Sequence, residues 1–301
     1  MSHPLFHPKH LDAATPSTNA ALADLLSQAN TLQAAANKIR ADVAILRQPA
    51  PPPPTKINWP SYTGTANLLG VSPVGKVSVY NDPSLGSEGL QNAKDLLADA
   101  DRIVALNNQL FGTTGAPTNV IVFALGGATD GTGGADHMAC DYKNGGNIEV
   151  CAAFGSSARC SALFEAELSE CAMNAQLCGL STGEALSRWC AAVASNNALS
   201  DFASAPTWAK AGMPNWVDRT ETTDQDYKSI GCGMAFISFL ISCGAPLAKI
   251  AQAMVALGDS GTLAQLYAKL GLGQQTNAWA TFEAAVKQLP NGITSDDPFG
   301  K

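Results

Sequence analysis

The stretch Glu165-Ala166-Glu167-Leu168-Ser169-Glu170, followed by Gly183-Glu184-Ala185-Leu186-Ser187, decides how this chain is read. It groups carboxylates on two successive helical segments, in a sequence where only 14% of residues are charged against about 25% in an ordinary soluble domain. Residues 157–178 have helical periodicity: Phe164, Leu168, Ala172 and Ala175 share an apolar face beside a second face of Leu163, Glu167, Glu170 and Asn174. Glu167 and Glu170 stand at i and i+3, so their carboxylates converge on one point. Glu165 projects about 160° away from Glu167 and leaves that group. Like charges so close need a cation, a shared proton or an arginine between them, and Arg159 and Arg188 are the candidate arginines. The plain alternative is a solvated acidic face or an internal ion pair.

Around this centre, Lys76-Val77-Ser78-Val79-Tyr80, residues 120–125 and residues 147–153 read as strands. Residues 87–111 read as a helix before the acidic one, and 182–196, 227–243, 246–257, 260–270 and 275–288 as helices after it. Strands first and helices afterwards predict an α+β fold, a small β-sheet packed on a predominantly helical domain over 57–301. Trp189, Trp208 and Trp216 fit either core positions, the commoner use of such rings, or the floor of a sugar or peptide groove.

These segments resemble the gluzincin branch of the zinc metallopeptidases over about residues 115–245. That family carries His-Glu-x-x-His on its active helix, with two zinc-ligand histidines and a glutamate base, and a third glutamate ligand on the next helix. Ala166-Glu167-Leu168-Ser169-Glu170 occupies the first motif and Gly183-Glu184-Ala185-Leu186-Ser187 resembles the second. Asp226-Tyr227-Lys228-Ser229-Ile230-Gly231-Cys232-Gly233 resembles the Tyr/Gly-rich helix start that follows in several such families. The resemblance implies a zincin-like fold, Glu167 as general base, Tyr227 polarising a substrate carbonyl, and Glu170 and Glu184 as metal ligands. Ala166 cannot bind a metal and Glu170 stands where the second histidine would, so the motif is degenerate. An oxygen-rich set weakens zinc and lets Ca²⁺ or Mg²⁺ compete.

A glycine-rich run, Gly126-Gly127-Ala128-Thr129-Asp130-Gly131-Thr132-Gly133-Gly134-Ala135-Asp136-His137, leaves the strand ending at Leu125. Glycine lets backbone turn tightly and approach a ligand closely. Asp130, Asp136 and Asp141 are candidate substrate-binding residues on this loop, and His137 is a candidate proton shuttle or metal ligand for Glu167. The plain alternative is an Asp/Gly turn, with or without Ca²⁺. No Gly-Lys-Ser/Thr follows the glycines and no Gly-x-Ser-x-Gly elbow occurs, which argues against a phosphate loop and serine catalysis. Eight cysteines fall between Cys140 and Cys243 without a Cys-x-x-Cys pair, so a zinc ribbon is not expected. They are buried thiols, or some of them pair as disulfides.

Residues 1–48 form an arm with a long helix over 17–47, where Leu22, Leu25, Ala29, Leu32, Ala36, Ile39, Val43 and Leu46 make a heptad seam. The seam suits a homo-oligomeric coiled coil, or a helix laid along its own domain. A proline-rich linker over 49–56 separates it from the globular part. His3, His7 and His10 precede it. A net charge of -7 without a Lys/Arg run excludes a nucleic-acid footprint. No apolar run is long enough to span a bilayer, and the polar N-terminus is unlike a secretory signal, although the low charge leans toward an exported or assembly-forming protein. Three functions are therefore carried forward. One is a binding or assembly protein on a degenerate zincin-like scaffold, one a metallopeptidase-like hydrolase using Glu167, and one a metal-independent carboxylate-pair enzyme acting on glycans. The ligand is expected to be a peptide or glycan, and the candidate cofactor a divalent cation, Zn²⁺ or Ca²⁺.

Overall fold

The computed structural model describes residues 32–33, 35–40, 57–115, 117–144 and 146–300. The linker 49–56 and most of the heptad helix lie outside the described residues. Within that helix, 32–33 and 35–40 are helical, and Lys38 Nζ reaches Asp95 Oδ1 at 3.3 Å.

The globular part is α+β, as the order of segments predicts. Five strands, β1 (Asn67–Val71), β2 (Val77–Asn81), β3 (Thr118–Phe123), β4 (Ala135–His137) and β5 (Asn147–Cys151), form one mixed sheet in the order β1-β2-β3-β5-β4. The central three are parallel, with Val79 opposite Val120 and Val120 opposite Ile148. β1 and β4 are antiparallel edges. Alternate residues along the parallel strands are fully buried, as the two-residue period of a strand dictates. α1 (Gly86–Phe111) links β2 to β3, and its buried Ala93, Leu96, Leu97, Ala100 and Ile103 share a core with Val77, Val79, Val120, Val122, Ile148 and Val150. Gly112 ends it in the left-handed conformation, with its N–H on Asn108 O.

The helical half holds α2 (Ser157–Ala172), α3 (Ser181–Ser195), α4 (Ala205–Lys210), α5 (Tyr227–Ser242), α6 (Leu247–Leu257), α7 (Leu263–Lys269) and α8 (Ala278–Val286). A second core lies here around Phe236, Phe239 and Phe282, with Trp208 fully buried and stacked on Phe282. Trp189 is buried as well, its Nε1 donating to Met234 O, so these two rings are core. α2 belongs to the sheet core and α3 to the helical core, so the acidic stretches meet at their junction.

Three differences from the sequence reading matter for the site. The acidic helix stops at Ala172, not 178; Asn174, Ala175 and Leu177 beyond it are left-handed, so Ala175 is an exposed turn residue and not part of the apolar face. The glycine-rich loop contains a strand, β4. Nor is α2 a solvated acidic face: Ser161, Ala162, Leu163, Glu165, Ala166 and Ser169 are all buried.

One buried carboxylate also anchors the start of the domain. Glu149, in mid-β5, is fully buried, and its oxygens accept from Ser61 N, Ser61 Oγ and Tyr62 N at 2.9, 2.7 and 2.5 Å. That satisfies a group otherwise costly to bury, and it ties the entering chain to the sheet.

Candidate active site

β4 brings the one imidazole of the described residues to the acidic helix. The glycines before it have steric work to do: a Cβ on Gly133 would lie 2.0 Å from Leu125 O, and one on Gly131, at φ 85°, would strike Arg159. With that close threading the chain returns as β4, and His137 points at α2.

His137 Nδ1 stands 2.6 Å from Glu167 Oε2, while Nε2 lies 3.2 Å from Cys140 Sγ and 3.8 Å from Glu170 Oε2. These side chains are 11%, 14% and 15% exposed for His137, Glu167 and Glu170. Glu184 sits beside Glu170 and is held by Arg188, whose Nε donates to Oε1 at 2.6 Å one turn along α3. Arg188 also donates to Phe202 O at 2.9 Å, and its guanidinium lies 5.6 Å from the centre of the Tyr227 ring.

The electrostatics follow from this packing. Burial alone would lower the basicity of His137, but the hydrogen bond and charge of Glu167, with Asp136 and Glu184, outweigh it and leave the imidazole above its ordinary value. Burial raises the Glu167 carboxyl; His137 pulls it back in part, and a net rise remains. The coupled pair therefore retains its shared proton to higher pH than a free histidine. Glu170 is pushed well above the carboxylate range, first by burial and then by the charges of Glu167 and Glu184.

These groups floor a cavity of about 640 Å³ whose walls include β4, Val193, Phe202, Tyr227 and Asp296. β4 pairs only with β5 among the described strands. Met138 N donates to Asn147 O and Cys151 N to Gly134 O, so the alternation of an antiparallel ladder leaves the backbone of Ala135 and His137 on the outer edge.

Of the residues singled out from the sequence, His137, Glu167, Glu170, Glu184, Asp136 and Tyr227 border this cavity. Asp130 and Asp141 do not; Asp130 accepts from Thr132 N and Oγ1, and Asp141 from Asn144 N, each closing a local turn. Arg159 is not a partner of the acidic cluster: it forms a two-pronged pair with Asp201 at 2.6 and 2.9 Å. Asp296 went unnoticed in the sequence. Ser204 N and Ala205 N donate to its Oδ1, and it lines the same cavity. Its distance along the chain, with no motif around it, gave no signal.

His137, Cys140 and Glu170 present nitrogen, sulfur and oxygen atoms within 4.8 Å of one another, a group that could hold a metal ion. Cys140 is, however, disulfide-bonded to Cys178, with Cα atoms 5.8 Å apart. No helix among the described residues is long and apolar enough to cross a membrane. No protein-family model matches the chain, and no curated protein matches it.

Proposed function

We propose that the protein is a hydrolase on a zincin-like scaffold that cleaves an extended peptide lying along the outer edge of β4. The observation that carries this is the 2.6 Å contact between His137 Nδ1 and Glu167 Oε2 on the cavity floor beneath that edge. An exposed strand edge binds an extended chain through its backbone, and a carboxylate–imidazolium pair below it supplies both a base and an acid.

In the protonated pair, Glu167 is the carboxylate and His137 the imidazolium. Glu167 takes a proton from water as the oxygen attacks the scissile carbonyl, and His137 gives its proton to the departing amine. The Glu167 proton then crosses to His137 and restores the pair. Glu170, whose carboxyl is raised by burial and then by Glu167 and Glu184, donates in its protonated form to the developing oxyanion. Tyr227 and Arg188 border the cleft on the α5 side. A divalent cation would add Lewis-acid polarisation, but with Cys140 in a disulfide the His137–Cys140–Glu170 group offers only His137 Nε2 and Glu170, short of the four ligands typical of zinc. No step is routed through a metal. The glycan reading fares worse, because Glu167 is committed to His137 and Glu170 abuts Glu184, leaving little room for a sugar between paired carboxyls.

A second reading is peptide capture without turnover, favoured by Ala166, an apolar residue at the first ligand position of the motif. The test is an internally quenched peptide library incubated with the folded wild type, Glu167→Gln and His137→Gln. Turnover by the wild type that falls by about 10² to 10⁴ in either variant supports hydrolysis. Equal peptide binding by all three, without turnover, supports capture instead.

A further inference from the structure

The Cys140–Cys178 disulfide occupies a position that makes chemical sense for a different state of the same chain. Glu167 accepts from His137 Nδ1 at 2.6 Å, so in the neutral imidazole the proton stays on Nδ1 and the Nε2 lone pair is the free donor. That lone pair faces Cys140 Sγ at 3.2 Å and Glu170 Oε2 at 3.8 Å. A tetrahedral zinc with bonds of about 2.0–2.3 Å separates neighbouring donors by roughly 3.3–3.6 Å. The two distances bracket this range. A carboxylate behind a ligating imidazole is also the usual support of a zinc histidine. What the oxidised chain lacks is a free sulfur.

The geometry points to a zinc site that forms only when the Cys140–Cys178 disulfide is reduced, with Cys140 Sγ, His137 Nε2 and Glu170 as protein ligands and the cavity side open for a fourth. A dithiol reductant attacks the sulfur of Cys178, which belongs to an exposed residue, whereas Cys140 is buried. The first S–S bond breaks, a mixed disulfide forms at Cys178, and Cys140 departs as a thiolate beside His137. The second thiol of the reductant closes its own disulfide and releases Cys178 as a thiol. Two electrons pass from reductant to protein. Zinc then binds the Cys140 thiolate, His137 Nε2 and the Glu170 carboxylate, and the protons that Nε2 and Glu170 carried go to solvent.

Cys140 does not depend on the disulfide for its position. Its carbonyl accepts from Ala175 N at 2.5 Å, and Leu177 N is pinned to Asp259 Oδ1 at 2.6 Å, so the segment between α2 and α3 stays against the loop. A thiolate also changes the metal preference, because soft sulfur with imidazole selects zinc where carboxylates alone favour Ca²⁺ or Mg²⁺.

The experiment titrates Zn²⁺ into the untagged full chain, oxidised and after phosphine reduction, with Co²⁺ as a spectroscopic probe of thiolate ligation. The reduced chain takes up one equivalent at least about 100-fold more tightly than the oxidised chain, and its Co²⁺ form shows a thiolate-to-metal charge-transfer band. Cys178→Ser, which leaves Cys140 without its partner, binds zinc without reductant. Cys140→Ser loses the site under either condition, and Glu167→Gln weakens it by about 10- to 100-fold. Equal affinity of the oxidised and reduced wild type, or a Cys178→Ser chain no tighter than the oxidised wild type, overturns the assignment. So does an undiminished site in Cys140→Ser. The readout is metal binding, so the outcome is separate from whether the protein hydrolyses peptides.

Discussion

Arg188 and Glu184 face each other one helical turn apart on α3, joined at 2.6 Å, and this pair sets a guanidinium against the carboxyl that neighbours Glu170. Burial works against the charge on Arg188, and Glu184 more than compensates. Removing only one partner leaves a partly buried charge uncompensated. Arg188→Gln should destabilise the protein by about 1–3 kcal/mol in urea unfolding. Arg188→Gln with Glu184→Gln should recover most of that loss. A double variant as unstable as the sum of the single changes would argue that the two residues act independently.

The proposed hydrolysis should follow a bell-shaped pH profile. The acid limb is the ionisation of Glu167, whose carboxyl lies above its ordinary value, so activity rises with pH through a point above about 4.5. The basic limb is the loss of the imidazolium proton, held above about 6.5. Steady-state rates from pH 4 to pH 9 give both limbs; an acid limb at the value of a free glutamate would disconnect Glu167 from the chemistry.

Glu165 predicts a pH effect on stability instead. It is fully buried, both of its carboxyl oxygens lack a hydrogen-bond partner among the described residues, and burial raises it well above its ordinary value despite the nearby charge of Arg102. The folded state therefore binds this proton more tightly than the unfolded state. The stabilisation it provides is complete below about pH 4.5 and is lost as pH rises toward the folded value. Glu165→Gln, which cannot ionise, should raise the unfolding midpoint at pH 8 relative to the wild type and change it little at pH 4. A gain equal at both pH values would contradict a buried proton at Glu165.

Glu149 gives the opposite kind of test, since all its contacts are made. Glu149→Ala strands three donors of Ser61 and Tyr62 and should cost about 2–4 kcal/mol. Hydrogen exchange should show the amides of Ser61 and Tyr62 opening first, ahead of those in β3.

The legible part of this chain was its strong periodicity. β2, β3, β5, α1 and the long helices carry apolar runs or faces that single-sequence reasoning recovers. β1 and β4 were missed because neither shows an alternation: Gly70 interrupts β1, and β4 is three residues long behind Gly133 and Gly134, so their order comes from pairing with β2 and β5. The same limit applied to the site. His137, Glu167, Glu170 and Glu184 stood out by residue type. The choice of arginine did not, because Arg188 over Arg159 is decided by which helices pack together. The partner of Cys140 was equally hidden, as spacing cannot distinguish Cys178 from the other cysteines.

β4 is only three residues long, has a single neighbour among the described strands and is preceded by glycines, yet it carries the imidazole. Such an edge detaches at far lower free energy than the helices and central strands behind it. Heating should therefore silence the proposed hydrolysis before the calorimetric transition begins, with recovery on cooling. The nearby crosslink at Cys140 limits how far that edge can peel away, so the temperature range of the proposed activity should depend on the oxidation state of the surroundings as well as on the core.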